Sequence, residues 1–372
     1  MAAGHYFKRL IVPGLVIQAV MVGGGYATGR ELVEFFLSMG AANGLLGIAV
    51  TALLFSLSCM TAFELARTFR AYDYFSLCRQ FLGPFAFLFE AGYLAALLLA
   101  LAVVSAAAGV LSSELVRIPE MFGSMLFMAL VAGIACFGSH VIEKLISIWS
   151  LIFYLAYGGL FFLVLSSHGG EMRAAIGADP IEPARALWNG VSYASYNITV
   201  VAILIFVARN FATRREALIA GAIAGPLILL PGIALLLTLS AFSGLVLTAE
   251  LPVSVVLGEL GIPAFALLVK LIILGALIKT GVGLLHGLNE RVARASVERG
   301  LILPRWGRPA LALFAMLLAL YGANRVGLID LIGQGYRYSA VFFFFVFLAP
   351  LLTLGVWRLI GQRGASSGSD NP

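Results

Sequence analysis

The sequence predicts an all-α integral membrane protein of about ten transmembrane helices, arranged as a 5+5 inverted repeat with helices 1 and 6 broken. Three observations predict it. Of 372 residues, 61% are hydrophobic and 11% charged, where a soluble domain carries about 25% charge; the mean hydropathy is +1.02. Apolar stretches long enough to cross a bilayer, about 20 residues each, recur about ten times. The first and the sixth of these stretches are interrupted at corresponding places.

Span 1 covers 10–39 and carries Gly23-Gly24-Gly25-Tyr26-Ala27-Thr28-Gly29-Arg30-Glu31. Three consecutive glycines weaken a helix, because each adds backbone freedom and no packing surface. Thr28-x-x-Glu31 then matches a capping box, the signature of a helix start. The reading is a helix that ends near the glycines and restarts near Thr28. Glycines also serve close helix packing, and that alternative stays open for the triplet alone. Unwound backbone at membrane depth is tolerated only where it lines a cavity or lies buried in protein.

The remaining spans follow in order: span 2 over 44–66, span 3 from Gly83-Pro84 to 112, span 4 over 121–137 and span 5 over 143–166. A polar connection with Gly169-Gly170, Asp179-Pro180 and Glu182-Pro183 is read as the longest outer loop. Span 6 covers 187–208, span 7 217–242, span 8 252–288, span 9 309–321 and span 10 332–359, the last opening on a re-entrant or tilted piece. The organisation is a first repeat over 1–168, a connecting loop over 169–184, a second repeat over 185–360 and a disordered cytoplasmic tail over 361–372, rich in Gly and Ser.

Lys and Arg set the orientation. With the N-terminus inside, the inner loops hold Lys8, Arg9, Arg67, Arg70, Lys144, Arg209, Arg214, Arg299 and Arg305 among others, and the outer loops hold Arg117, Arg173, Arg185, Arg325 and Arg337. The bias is roughly three to one and places both termini in the cytoplasm. The net charge of +6 therefore belongs to topology, not to nucleic-acid binding. Cys59, Cys78 and Cys136 are scattered without CxxC or metal spacing. The first span is too long for a signal-peptide core. Without a nucleophile–base pair, a zinc motif or a phosphate loop, the sequence gives no support for an enzyme, and no cofactor is expected beyond a coupling H+ or Na+.

The halves share a signal. Span 6 carries Ser192-Tyr193-Ala194-Ser195-Tyr196-Asn197, and its Tyr-Ala-Ser sits where span 1 has Tyr26-Ala27-Thr28. Five spans separate them, so the second half enters the membrane from the opposite side. Ser192, Ser195 and Asn197 are N-cap types, suited to rebuild a helix start. Paired interrupted segments in corresponding places are the best sequence pointer to a transporter site.

Ten spans in two inverted halves with breaks in spans 1 and 6 resemble the leucine-transporter fold of the amino acid–polyamine–organocation superfamily. At residue level, Gly24-Gly25-Tyr26-Ala27-Thr28-Gly29-Arg30-Glu31 with Phe35-Phe36 is similar to a segment of bacterial YkvI-type membrane proteins. Lys279-Thr280-Gly281-Val282-Gly283 with His286-Gly287 and Glu290-Arg291 resembles that family's span 8. Gly327-Leu328-Ile329-Asp330-Leu331-Ile332 with Gly335-Tyr336 resembles the start of its span 10. Arg30 stands where a glutamine is common, and Lys279 where a small hydroxyl residue is common.

The resemblance implies a substrate held between spans 1, 3, 6 and 8. The candidate substrate residues are Gly23, Gly24, Gly25, Tyr26, Ala27, Thr28, Tyr93, Ser192, Tyr193, Ser195, Tyr196 and Asn197. A zwitterion fits, its carboxylate toward the helix end near Thr28 and Gly29 and its ammonium toward carbonyls near Val22–Gly24. For Tyr93 alone, a packed aromatic is the better reading. In sodium-coupled relatives a span-8 hydroxyl binds the ion against span-1 carbonyls, which makes Val22, Lys279 and Thr280 the coupling candidates. An ammonium at Lys279 can replace that ion, or the side chain can snorkel to the inner face. Lys270 lies on the opposite helix face, at about 100° per residue. Arg30 and Glu34, an i,i+4 pair, are the candidate outer gate.

The leading function is secondary transport of an amino acid or similar small zwitterion across the cytoplasmic membrane, proton- or sodium-coupled. A passive channel and a non-transporting sensor or assembly protein on the same fold are the rivals. The expected partners are a small-molecule substrate and the lipid bilayer, with the oligomeric state open.

Overall fold

The computed structural model describes residues 6–136, 139–298 and 307–367, and nearly all of them are helical. Phe137 at the expected end of span 4, Arg299 and Arg305 of the expected inner loops, and 368–372 of the expected tail lie outside the described residues.

Span 1 is three helices, α1 (Val12–Met21), α2 (Gly24–Thr28) and α3 (Arg30–Phe35). Val22 leaves the helix (ψ 74°), Gly23 is extended, and Gly29 is left-handed at φ +82°. The helix therefore resumes at Gly24, not at Thr28, and it breaks a second time. Nor is there a capping box at 28–31. A left-handed residue at Gly29 makes Thr28 the end of α2, so its hydroxyl donates back to the Gly25 carbonyl at 2.8 Å. Glu31 is thereby free to turn elsewhere.

Spans 2 to 5 are α4 (Ala41–Phe69), then a short α5 (Tyr74–Leu82) leading into α6 (Ala86–Val116), α7 (Glu120–Cys136) and α8 (Ser139–Ala178). The connection read as a loop over 169–184 is helical as far as Ala178. The chain kinks at His168 (φ −130°, ψ 28°) and continues. The Ser166 and Ser167 hydroxyls both donate to the Leu163 carbonyl, satisfying backbone beside the kink.

Span 6 is α9 (Pro183–Asn197), α10 (Thr199–Ile203) and a 3-10 stretch, Ile205–Asn210. None of Ser192, Ser195 and Asn197 caps α10. Instead Ser195 donates to Val191 O at 2.7 Å and Asn197 to Tyr193 O at 3.3 Å. Short polar side chains inside a helix find the carbonyl one turn back more easily than a start still to come.

Span 7 is α11 (Arg214–Ser240), followed by α12 (Ser243–Val246). The run 252–288 read as one span divides into α13 (Pro252–Glu259) and α14 (Pro263–Glu298), with Gly261 left-handed between them. Span 9 is α15 (Gly307–Val326). Span 10 begins with α16 (Leu328–Asp330) and a π turn, Leu331–Gly335. It continues through α17 (Tyr336–Phe343) and further π turns into α18 (Val356–Ser367). Residues 361–367, expected to be disordered, extend this helix, since adding residues to a formed helix costs little.

Among the described residues, spans 2 and 7 form the most extensive helix pair. A Cβ at Gly221 or Gly225 would overlap the backbone of Met60 or Ala52, so these small residues set how closely the helices approach. Span 7 also contains Pro226 and Pro231, each of which frees a carbonyl one turn earlier. Both are answered from another span: Ser56 donates to Ala222 O at 2.8 Å, and Gln18 to Leu227 O. Such repair is what lipid demands, because it offers no partners.

Among the described residues, six helices are long and apolar enough to span a membrane. Large side chains such as Leu126, Leu155, Phe162 and Phe345 remain about two-thirds exposed, an outer surface suited to hydrocarbon rather than water.

Candidate functional site

A cavity of about 620 Å³ lies where the two broken spans meet. Span 1 contributes Ala19–Met21, Gly23, Gly24 and Glu31; span 6 contributes Tyr196, Asn197 and Thr199. Span 3 adds Tyr93 and Val104, span 8 adds Lys279, Thr280 and Arg291, and span 10 adds Tyr336 and Ser339. The cavity runs from buried Glu31 and Tyr336 to the Tyr72–Tyr74 turn and Phe206. Val20, on its wall, is half exposed.

Each glycine of the triplet has its own reason. Gly23 faces Thr280, whose side-chain atoms would lie 3.5 Å from an added Cβ. Gly24 is pressed between Val104 and Leu277, which a Cβ would meet at 2.6 Å. Gly25 makes room for Glu31: an added Cβ would overlap its Oε1.

Of the sequence-predicted site residues, the structure brings Gly23, Gly24, Tyr93, Tyr196, Asn197, Lys279 and Thr280 to the cavity wall. Gly25, Ala27 and Thr28 are buried behind it. Ala27 offers its carbonyl to the Tyr157 hydroxyl of span 5. Tyr26 does not close the pocket; it is buried with its hydroxyl toward Gly232 of span 7. Tyr193 points away as well, packed on Phe35 and Phe36 with ring centroids 5.5 and 4.8 Å apart. Ser192 and Ser195 are buried outside the cavity wall. The resumed helix begins at Gly24, which lines the cavity, and not near Thr28 and Gly29.

Lys279 Nζ donates to the Ala19 carbonyl at 3.0 Å, in the last turn before the span-1 break. Thr280 next to it donates to Ala276 O at 2.9 Å. Val22 sits beside both Lys279 and Ala19. Lys270 is turned elsewhere and pairs with Glu114 at 2.8 Å. His286, seven residues beyond Lys279, is exposed.

One end of the structure is bridged by charged side chains. Arg30, 4% exposed, pairs with Glu34 at 3.0 Å and donates to the carbonyls of Leu247 and Ala249 at 2.8 and 3.0 Å. Arg337 of span 10 reaches the other oxygen of Glu34 at 3.2 Å. Spans 1 and 10 are thus joined through the Glu34 carboxylate, and span 1 is joined to the turn before α13 through the Arg30 guanidinium. At the other end Arg291 pairs with Glu90 at 3.2 Å and lies 3.9 Å from the ring centroids of both Tyr74 and Tyr93.

Sequence reasoning missed Glu31, Tyr336, Ser339 and the Tyr74–Arg291–Tyr93 stack as parts of this region. Glu31 matched a capping pattern that accounted for it too well. Tyr336 and Arg291 belong to the span-10 and span-8 motifs, which carry no signal that they converge.

No protein-family model matches the chain. Uncharacterized protein YyaD of Bacillus subtilis (strain 168) is 24% identical over 351 residues, which span 92% of this chain and 97% of that protein. Among solved structures, MhsT in complex with L-phenylalanine superposes with a TM-score of 0.59 at 14% identity, covering 95% of this chain and 97% of that one. A manganese transporter of Eremococcus coleocola gives 0.54 at 14% identity, covering 99% and 89%. A Na+-coupled sialic acid symporter gives 0.54 at 12%, covering 92% and 86%. At such identities the likeness establishes architecture. This chain is a multi-pass membrane protein with the leucine-transporter fold, its two broken helices meeting beside a central cavity.

Proposed function

We propose that the protein is a secondary active transporter that moves an amino acid or similar small zwitterion across the cytoplasmic membrane by alternating access. The observation that carries this reading is the cavity at the two breaks, bounded at one end by the Arg30–Glu34–Arg337 ties and reaching the Tyr72–Tyr74 turn at the other. Such a one-sided path to a central site suits alternating access better than a continuous pore. With the Lys and Arg bias of the loops, the cavity opens to the cytoplasm, both termini are cytoplasmic, and Arg30 and Glu34 belong to an outer gate. The two repeats cover 1–168 and 185–360, and the motifs in spans 1, 8 and 10 support a kinship with the YkvI-type proteins.

An amino-acid-like substrate is supported by the mixed polar and aromatic wall of the cavity and by the L-phenylalanine complex of MhsT. Proton coupling is supported by Lys279. Its ammonium donates to the Ala19 carbonyl, where sodium-coupled relatives hold an ion between spans 1 and 8. A lysine there supplies the positive charge itself and can give it up as a proton. The test is uptake of a labelled amino-acid mixture into proteoliposomes under a pH gradient and, separately, a sodium gradient. Accumulation under the pH gradient supports the reading. Accumulation under sodium alone keeps transport and removes the role of Lys279.

A further inference from the structure

Glu31 is 7% exposed and lies on the wall of the cavity. Its Oε2 accepts a hydrogen bond from the Tyr196 hydroxyl at 2.9 Å, and its Oε1 occupies the space left by the missing Cβ of Gly25. The neighbouring charges are committed elsewhere: Arg30 to Glu34 and two loop carbonyls, and Arg337 to Glu34. Among the described residues no Lys, Arg or His lies within ion-pair distance of Glu31. A carboxylate withdrawn from water without a counter-charge is costly, and such groups inside a membrane protein mark ligand or ion paths.

The surroundings narrow the ligand. Divalent metals want several hard oxygen, nitrogen or sulfur donors, and no cluster of three His, Cys, Asp or Glu side chains occurs among the described residues. The Tyr196 and Tyr336 rings stack beside the carboxylate with centroids 4.8 Å apart. A carboxylate next to aromatic faces suits an organic ammonium, which takes a charge-assisted hydrogen bond from one and cation–π attraction from the other.

We propose that Glu31 is the cation-binding group of the cavity: its carboxylate, seated in the Gly25 notch and held by Tyr196, takes the ammonium of an amine or amino acid, with the carbon skeleton against Tyr336. This rests on the transporter reading and refines it. The ammonium goes to a side-chain carboxylate rather than to the backbone carbonyls of the span-1 break, so the cavity selects for a positive charge before anything else.

The test uses the full-length protein in nanodiscs and three probes on one skeleton: phenethylamine, L-phenylalanine and 3-phenylpropionate. A second set, isoamylamine, L-leucine and 4-methylpentanoate, covers a smaller body. Binding is read as a shift in the thermal unfolding midpoint with probe concentration. The ammonium-bearing probes bind and the carboxylate-only probes do not. Glu31→Gln keeps the bond from Tyr196 and weakens the ammonium probes about tenfold or more, the scale of one charge-assisted hydrogen bond. Glu31→Asp keeps the preference for ammonium at reduced affinity. The midpoint without probe reports whether each variant is folded.

Equal binding of the carboxylate-only probes, unchanged affinity in Glu31→Gln, or no shift from any ammonium probe at millimolar concentration overturns the inference. Uptake of an anionic solute that survives Glu31→Gln would overturn it while leaving transport standing. Glu31-dependent amine binding without uptake would do the reverse.

Discussion

Lys279 Nζ and the carbonyl oxygen of Ala19 lie 3.0 Å apart, a hydrogen bond between span 8 and the last turn of span 1 before its break. Lys270, on the same helix, pairs with Glu114 at 2.8 Å, and Ser254 donates to that carboxylate at 2.7 Å. The two lysines therefore make a matched comparison. Lys270→Met leaves Glu114 with Ser254 and removes a part-exposed ion pair. The expected loss is about 1 kcal/mol or less, with the driving ion of uptake unchanged. Thermal unfolding and uptake, measured together, check this. A change of coupling ion in Lys270→Met would count against Lys279 as the coupling residue.

Gly29→Ala tests the second interruption of span 1. A left-handed backbone costs an alanine about 1–2 kcal/mol, and the new Cβ would meet Leu239 and Val253 at 3.2 Å. The variant should unfold at lower temperature by that margin or more. An unchanged midpoint would mean that α2 and α3 form one helix.

Glu34→Gln removes the charge shared by Arg30 and Arg337. Two part-buried pairs at about 0.5–1 kcal/mol each correspond to roughly a five- to thirty-fold shift between closed and open gate. A cysteine at the cavity wall, Ser339→Cys, reports it through modification by a membrane-impermeant thiol reagent. Glu34→Gln should raise labelling from the Arg337 side. Labelling from that side at the same rate in both backgrounds would remove Glu34 from the gate.

Glu250 supplies a pH dependence. It stands in the turn before α13, outside the membrane-spanning helices. Burial first, then repulsion from Glu120 and Glu114, raises its pKa above 4.5 despite Arg30 nearby. A carboxyl with a raised folded-state pKa binds more protons folded than unfolded, so its contribution is present below about pH 4.5 and is lost as pH rises through the folded value. Glu250→Gln should flatten that part of the stability–pH curve and raise the unfolding midpoint at neutral pH. A parallel curve for the variant would contradict this.

The membrane class and the two interruptions were legible because hydrophobic length and helix-breaking composition act locally. Gly23–Gly25 announces a break wherever the chain later goes. Glu31 was not legible, because Thr28-x-x-Glu31 matches a capping box and only the left-handed Gly29 prevents it. The same pattern at Thr213–Glu216 does form the box, with Glu216 N to Thr213 Oγ1 at 3.2 Å. Tyr26 and Tyr196 show the same limit. Tyr26 stands inside the repeated triplet and Tyr196 just after its counterpart Tyr193-Ala194-Ser195, yet Tyr26 turns to span 7, Tyr193 packs on Phe35 and Phe36, and Tyr196 reaches the cavity, a choice made by helix packing that no local pattern records. Gly169-Gly170 read as a loop because glycine is a weak helix former, but at about 1 kcal/mol per residue that cost is modest, and the chain stays helical past the His168 kink to Ala178.

The most direct measurement is uptake of labelled amino acids into proteoliposomes by the intact protein and by Lys279→Ala, under an inward pH gradient without sodium. Proton coupling through Lys279 predicts concentrative uptake by the intact protein and its loss in a folded Lys279→Ala variant, with downhill exchange retained. Concentrative uptake that persists in Lys279→Ala, or that requires sodium in the intact protein, would contradict it.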